Sequence, residues 1–327
     1  MDNIKNKTIF ISPLDWGLGH ATRCVPIVRK LIKNNNKIIL GTTSSTFPVF
    51  EEEFPELEKI NMPAYNVRYS AILPLWLKLL LNWRRISGVI REEQKFLNET
   101  IHKYKIDVVI SDNRFGLHSK KARSIFMTHQ VFLKTPFGRL TAQKINSKYI
   151  LNFDELWIPD YADENKCLSG ELSHGTHFHP GVKYIGPQSR LKINEAVKQK
   201  YDYLFLISGP EPQRSIFQNL LVERSKNYPE LKFALVSNSP QLTQQKNIDY
   251  FESPNAKNLS KIINESSTVI CRSGYSTLMD MHLLEKNELI LIPTPGQTEQ
   301  QYLATYWKTR FGARCHEQNK LNNLLLQ

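Results

Sequence analysis

A histidine and two glycines follow the first apolar run of the chain. Gly17, Gly19 and His20 stand in the stretch IFISPLDWGLGHATR, after residues that are typical of a buried strand. A strand that turns through glycines into a helix brings backbone N–H groups to the carboxyl edge of a sheet, where phosphate groups bind. An imidazole at a helix start is also suited to accept a proton. The stretch predicts a ligand-binding turn with His20 as a candidate general base, although a tight turn with a packing histidine has the same pattern.

The turn departs from two standard nucleotide-binding motifs. Thr22 takes the place of the third glycine of the dinucleotide fingerprint, and the second apolar run, KIILG, is followed by no acidic residue before Glu51. Neither GxxxxGKS nor GxxxxGKT occurs, which excludes a P-loop. A later run, DVVISD, ends in Asp112, which we interpret as either a competing base or an orienting partner for His20.

Polar residues also follow three apolar runs in the second half of the chain. Hydroxyl and backbone N–H groups at helix starts bind phosphate oxygens, a carboxylate can accept hydrogen bonds from two ribose hydroxyls, and adjacent carboxamides can bind a sugar. A carboxylate can also simply complement the helix dipole, which is the alternative for Asp280. The candidate ligand-binding residues are Gly17 and Gly19 of the first turn, Ser208, Gly209 and Arg214 at and after YLFLIS, Arg272, Ser273, Gly274, Ser276, Thr277 and Asp280 in VICRSGYSTLMD, and Gln297, Glu299, Gln300 and Gln301 in LIPTPGQTEQQ.

The elements that must position these residues alternate between short apolar runs and amphipathic stretches. TIFIS, CVPIVRKLIKN, KIILG and DVVISD follow one another in the first half, and the same order restarts at YLFLIS and continues through KFALVS, TVICRS and ELILIP. This alternation is typical of βαβ units and a parallel sheet. Gly186-Pro187 interrupts the pattern between the halves. The sequence therefore predicts two α/β domains, residues 1–190 and 191–327.

Composition bounds the class of protein. The 327 residues are 41% hydrophobic and 23% charged, as in globular domains, and 43 Lys and Arg against 31 Asp and Glu give a net charge of +12 that attracts anions. The N-terminus has no basic region followed by a long apolar segment, so we expect no secretion signal. The cysteines are far apart and form no CxxC pair, which favours a reducing cytoplasm over a disulfide framework: Cys24, Cys167, Cys271 and Cys315.

The stretch AILPLWLKLLLNWRR, residues 71–85, is apolar and then abruptly basic. Pro74 and Lys78 interrupt its apolar part, which is well short of the ~20 residues that a membrane-spanning helix needs. A core helix with a solvated basic end is one interpretation. The other is a helix on an acidic membrane surface, with Trp76 and Trp83 at the level of the headgroups.

Three histidines lie close together in HGTHFH. His174, His177 and His179 have a spacing that zinc ligands can have, but the sequence places no further ligand beside them. We therefore expect a surface loop and no metal site.

Taken together, these motifs resemble the two-domain GT-B glycosyltransferases, and in particular family 28. RSGYSTLMD is similar to the serine-glycine helix start of that family, which is followed by a ribose-binding acid, here Asp280. PTPGQTEQQ is similar to its proline turn with a glutamine pair, Gln300 and Gln301, for the donor sugar, and GLGHATR to its histidine-containing turn near the acceptor. SGPEPQRS departs from the family's glycine-serine-rich phosphate loop. The resemblance implies two Rossmann-like domains that face each other across a cleft.

The resemblance also implies an activity. We expect a metal-independent, inverting transfer of a sugar from a nucleoside diphosphate sugar, UDP-linked, to a hydroxyl of a lipid-linked or glycan acceptor, with the donor as co-substrate and no resident cofactor. Departing diphosphate would be stabilised by helix N-termini and Arg214, since no DxD metal motif is present.

Two other functions are compatible with parts of the pattern. A GT-B-fold epimerase or hydrolase of UDP-sugars would use the same nucleotide site without an acceptor. A basic protein that binds nucleic acid would use the positive charge, but that charge is scattered, and no helix-turn-helix, RNP or zinc-finger pattern occurs. We therefore expect no nucleic-acid partner.

Overall fold

The computed structural model describes residues 1, 3–65, 83–135, 138–193, 198–238 and 245–326. The chain divides into two compact units, with the division between Ser189 and Arg190. The hypothesis on residues 71–85 falls mostly outside the described residues, which include only the last three of that stretch. None of the helices in the described ranges is long and apolar enough to cross a membrane.

The first unit is a seven-stranded parallel sheet with the strand order β3-β2-β1-β4-β5-β6-β7. Its strands are β1 Thr8–Pro13, β2 Lys37–Thr42, β3 Glu58–Asn61, β4 Val108–Asp112, β5 Arg123–Met127, β6 Glu155–Ile158 and β7 Val182–Tyr184. Its helices are α1 Leu18–Lys33, α2 Phe47–Glu53, α3 Trp83–Tyr104 and α4 Arg139–Ile150, with a short 3-10 helix at Gly170–Leu172.

The second unit is a six-stranded parallel sheet with the strand order β10-β9-β8-β11-β12-β13. Its strands are β8 Tyr201–Leu206, β9 Phe233–Ser237, β10 Ile248–Glu252, β11 Ser266–Cys271, β12 Leu289–Leu291 and β13 Arg314–Cys315. Its helices are α5 Gln213–Ser225, α6 Ala256–Asn264, α7 Tyr275–Leu283 and α8 Thr298–Phe311, with a 3-10 helix at Gln318–Asn323.

Apolar side chains on both faces explain why the central strands form. Ile9 and Ile11 of β1 belong to one buried cluster with Ile27, Val28 and Leu31 of α1, which recur at helical spacing. Burying each such side chain contributes about 1.5–3 kcal/mol. The continuous apolar runs of the sequence are thus strands covered by helices, as a parallel sheet requires.

The strand order brings the candidate residues to neighbouring strand ends. In the first sheet β1, which precedes His20, pairs with β4, which ends at Asp112. In the second sheet β11 lies between β8 and β12, so the three segments with candidate ligand-binding residues follow adjacent parallel strands. The predicted α/β class with two parallel sheets is confirmed.

Candidate active site

Gly17 is the N-cap of α1, and Gly19 lies in the first turn of the helix. The φ of Gly17 is 166°, which is extended backbone that any residue adopts, and a Cβ built on it meets nothing within 4 Å. Among the described residues no side chain caps this helix start. The space beside the Gly17 Cα is therefore open among the described residues, which is compatible with an anion-binding turn, and the glycine removes bulk rather than strain.

His20 and Asp112 are in direct contact. The Nδ1 atom of His20 lies 3.1 Å from Oδ1 of Asp112, because β1, which leads into α1, pairs with β4 and ends opposite Asp112. The Asp112 side chain is fully buried, whereas the His20 side chain retains 20% exposure. A partly exposed imidazole backed by a buried carboxylate is the arrangement of a base and its orienting partner.

Arg23 contacts both oxygens of Asp112 and determines whether that carboxylate is ionised. Its Nε donates to Oδ2 of Asp112 at 2.7 Å, and its second terminal nitrogen donates to Oδ1. Burial alone would raise the pKa of Asp112, but the charge of Arg23, together with His20, lowers it to about 2. Asp112 is therefore ionised at neutral pH and poorly suited to accept a proton, which favours the orienting role over that of a competing base.

The sequence interpretation did not include Arg23 or His129 in the site. Arg23 lies three residues after His20 on one helix face, a spacing that the sequence does display. Nδ1 of His129 lies 3.3 Å from the first terminal nitrogen of Arg23. His129 follows β5, whose position beside β4 is known only from the strand order.

A buried ionic network supports the loop that leads to His20. Arg114 donates to the Pro13 carbonyl at 3.2 Å and to Glu93 at 2.7 Å, and the hydroxyl of Tyr65 donates to the other oxygen of Glu93 at 2.9 Å. Burial raises the pKa of Glu93, although Arg114 and the other donors lower it. No motif in the sequence signals this network, because its members come from four separated segments.

In the second unit, two of the predicted segments are bonded to each other. The hydroxyl of Ser273 donates to the Gln300 carbonyl at 2.7 Å. The Gln300 side chain accepts from the Thr294 N–H at 2.8 Å and donates to Gln297 at 2.7 Å. The start of α7, with Gly274 as N-cap, and the start of α8, with Gln297 as N-cap, are thus held side by side.

Arg272 has a different place from the one that the sequence suggested. It is buried and donates to the carbonyls of Ile292 and Gln213 at 3.1 and 3.0 Å and to the side chain of Gln318 at 2.6 Å. Its guanidinium also lies over the ring of Phe217, 4.0 Å from the centroid. These contacts brace the loops that follow β8 and β12, which fits a structural role better than direct contact with a ligand.

In the segment after β8, the guanidinium of Arg214 is paired with the carboxylate of Glu211. Ser208 is partly exposed, and Gly209 has a φ of 102°, in the region that favours glycine. The Nε of Arg214 donates to Glu211 at 2.9 Å, and a terminal nitrogen lies 2.6 Å from the same oxygen. A phosphate group would have to compete with Glu211 for this guanidinium.

The remaining candidates lie on the exposed sides of α7 and α8. Asp280 is in the last turn of α7, which ends at Leu283, so its charge does not complement the dipole of that helix. This position argues against the alternative considered for Asp280. Partial or full exposure is common to the other candidates of these helices: Ser276, Thr277, Glu299 and Gln301.

Replacing Gln300 by alanine tests whether this side chain fixes the turn that leads into α8, since the bond from Ser273 goes to the Gln300 backbone carbonyl, which alanine keeps. The variant leaves the buried Thr294 N–H without its acceptor, so we expect the free energy of unfolding in urea to fall by about 1–3 kcal/mol. Gln301→Ala, at the exposed neighbouring position, is the matched control and should stay within about 0.5 kcal/mol of the wild type. Equal stabilities for the two variants would contradict the assignment.

The three histidines of HGTHFH each have their own partner. His174 lies 2.8 Å from the hydroxyl of Ser173, His177 lies 2.9 Å from the hydroxyl of Tyr184, and His179 donates to a backbone carbonyl at 3.0 Å. His179 is buried, so the expectation of a surface loop was wrong at that position. In the described part of the chain, no three His, Cys, Asp or Glu side chains are grouped as metal ligands.

Comparisons of the sequence with known proteins point to glycosyltransferases. Residues 185–327 match the family model described as the glycosyltransferase family 28 C-terminal domain. A protein of Methanosarcina acetivorans, named as an uncharacterized glycosyltransferase, is 22% identical over 315 residues, which are 87% of this chain and 79% of that protein.

Solved structures share the fold at low sequence identity. The spinosyn rhamnosyltransferase SpnG complexed with thymidine diphosphate superposes with a TM-score of 0.65 at 11% identity, over 97% of this chain and 90% of that one. MurG of Acinetobacter baumannii superposes with a TM-score of 0.55 at 9% identity, over 97% and 89%. The fold is therefore GT-B. With its family 28 C-terminal domain, the protein is a glycosyltransferase, and the predicted resemblance is confirmed.

Proposed function

We propose that this glycosyltransferase moves a sugar from a UDP-sugar to a hydroxyl group of a lipid-linked or glycan acceptor. The observation that carries the donor site is the hydrogen bond between Ser273 and Gln300, which joins the starts of α7 and α8. Backbone N–H groups at such starts suit a diphosphate, and the carboxylate of Asp280 and the amide of Gln301 suit ribose and sugar hydroxyls. The spinosyn rhamnosyltransferase structure contains thymidine diphosphate, so dTDP-sugars belong in any test.

On the acceptor side, His20 is the proposed general base. Nε2 of His20 takes the proton of the acceptor hydroxyl while the oxygen forms a bond to the anomeric carbon of the donor sugar. The bond from that carbon to the diphosphate oxygen breaks in the same step, and the electron pair leaves with the nucleoside diphosphate. One displacement from the face opposite the leaving group inverts the anomeric configuration. Asp112 stabilises the imidazolium that forms.

The proposed transfer needs no metal ion. The positive ends of the helix dipoles of α5, α7 and α8 would oppose the charge that develops on the departing diphosphate. Arg214 would add to this field when it exchanges Glu211 for phosphate.

A panel of donors tests the proposal directly. We expect UDP and UDP-sugars to raise the free energy of unfolding by about 2.7 kcal/mol at a concentration of 100 Kd, and GDP and dTDP to raise it less at the same concentration. Transfer to a hydroxyl acceptor should give a product of inverted configuration by NMR, at a rate unchanged by EDTA. Stabilisation by none of the three nucleotides would contradict a nucleotide-sugar site, and loss of transfer in EDTA would contradict metal independence.

We also propose that the protein binds a lipid-linked acceptor at an acidic membrane surface inside the cell. Arg84 and Arg85 are exposed at the start of α3 and can pair with anionic headgroups. In the described structure Cys24, Cys167, Cys271 and Cys315 form no disulfide bond, which suits a reducing compartment.

A further inference from the structure

The Nδ1 atom of His20 lies near two groups, one of which can only accept a hydrogen bond from it and the other can only donate one to it. Oδ1 of Asp112, 3.1 Å away, is an ionised oxygen and can only accept a hydrogen bond. A terminal nitrogen of Arg23, 3.0 Å away, carries only hydrogens and can only donate. In a neutral imidazole Nδ1 either carries the proton or a lone pair, so it can satisfy one of these partners at a time.

The choice between the two partners decides what the other ring nitrogen can do. When Nδ1–H donates to Asp112, Nε2 has a lone pair and can accept the proton of a substrate hydroxyl. When Nδ1 accepts from Arg23, the hydrogen is on Nε2, and that atom can only donate. The same histidine is therefore a base in one tautomer and a hydrogen-bond donor in the other.

The position of Arg23 is fixed independently of His20. Its Nε and second terminal nitrogen hold both oxygens of Asp112, its first terminal nitrogen lies 3.3 Å from Nδ1 of His129, and the side chain is 1% exposed. The thiol of Cys24, 3.8 Å from Oδ2 of Asp112, adds no charge, because burial raises its pKa. The remaining hydrogen of the second terminal nitrogen is held beside Nδ1 of His20 by these bonds.

We propose that Arg23 is a positioning residue that competes with Asp112 for Nδ1 of His20 and so sets the share of the histidine that can act as a base. This proposal rests on the proposed role of His20 in transfer. It assigns Arg23 two opposed effects. Arg23 keeps Asp112 ionised and oriented, and it also holds part of His20 in the tautomer that cannot accept a proton at Nε2.

The tautomers can be measured without any substrate. Nitrogen NMR of the full chain, labelled with ¹⁵N-histidine and recorded at an alkaline pH above which the histidine signals no longer change, distinguishes Nδ1–H from Nε2–H. His20→Gln identifies the His20 signals by their loss. We expect both tautomers in the wild type, each in about a tenth or more of the His20 side chains. The reason is that the two competing hydrogen bonds both involve a charged group and are of similar strength. A wild-type His20 that is entirely Nδ1–H would overturn the proposal.

Removing the competitor should shift the balance. While Asp112 stays ionised, which the alkaline pH of the measurement favours, Arg23→Met should raise the ratio of Nδ1–H to Nε2–H about tenfold, the size expected for one hydrogen bond to a charged group. Arg23→Lys, which keeps the charge beside Asp112 and guards against a variant that does not fold, should shift the ratio in the same direction by less. Unchanged ratios in the folded variants would overturn the proposal. Because the readout is independent of turnover, absence of transfer activity would count against the proposed function alone.

Discussion

Glutamine in place of His20 should lower kcat by about 10²- to 10⁴-fold, the range that positioned general bases contribute. The side chain is partly exposed and its contacts to Asp112 and Arg23 are local, so we expect the fold to survive the change. Donor binding, measured as stabilisation by UDP, should stay as in the wild type, because the proposed donor residues Ser273, Asp280 and Gln301 lie in the second unit. The loss would therefore appear in kcat at saturating substrate.

The matched control is His102→Gln. His102 is exposed in the last turn of α3, and the substitution removes a histidine of the same unit without touching Asp112. It should leave kcat within about twofold of the wild type, since surface substitutions change little. Undiminished turnover in the His20 variant would remove His20 from the role of base and leave the candidate donor site standing.

Asparagine in place of Asp112 is expected to give the largest loss of stability. The change leaves the cation of Arg23 buried without its counter-ion, and breaking a buried pair in this way typically costs about 3–5 kcal/mol. Unfolding in urea measures the loss. Turnover should fall as well, because the imidazolium of His20 loses the carboxylate that stabilises it. Asp163→Asn, at an exposed loop position, is the control and should stay within about 0.5 kcal/mol.

The same carboxylate predicts a component of acid unfolding. The pKa of Asp112 is about 2 in the folded chain and about 3.9 in an unfolded one, so the folded state binds its proton less readily. A lowered pKa of this kind stabilises the fold by about 2.6 kcal/mol above pH 4, and that stability is lost as the pH falls through 2. Wild-type stability should therefore drop between pH 4 and 2, and Asp112→Asn should lack this part of the drop. Parallel curves for the two proteins would contradict the assignment.

The fold was largely predictable from the sequence because its signals are local. Continuous apolar runs such as TIFIS and TVIC can be satisfied only by burial on both faces, and the amphipathic stretches between them fit helices that cover a sheet. Glycine turns after these runs placed the candidate ligand-binding residues at strand ends. The structure has strands at all of these runs.

The site was predictable only in part, because side-chain partners depend on contacts across long stretches of sequence. His20 and Asp112 were selected by their positions at strand ends, but nothing local indicated that Arg23 would hold both oxygens of Asp112. Arg272 stood beside the predicted donor residues in sequence, whereas its guanidinium bonds to the backbone of two other loops.

The sequence by itself determined the two parallel sheets, the helices that cover them and the strand ends at which polar residues gather, since hydrophobic period and glycine turns act over a few residues. Only the tertiary structure decided the protonation of Asp112, the competition for Nδ1 of His20 and the bond from Ser273 to Gln300. Burial and neighbouring charge set these properties. Both depend on which strands are adjacent, and the order of strands in a sheet is not written in any one segment of the chain.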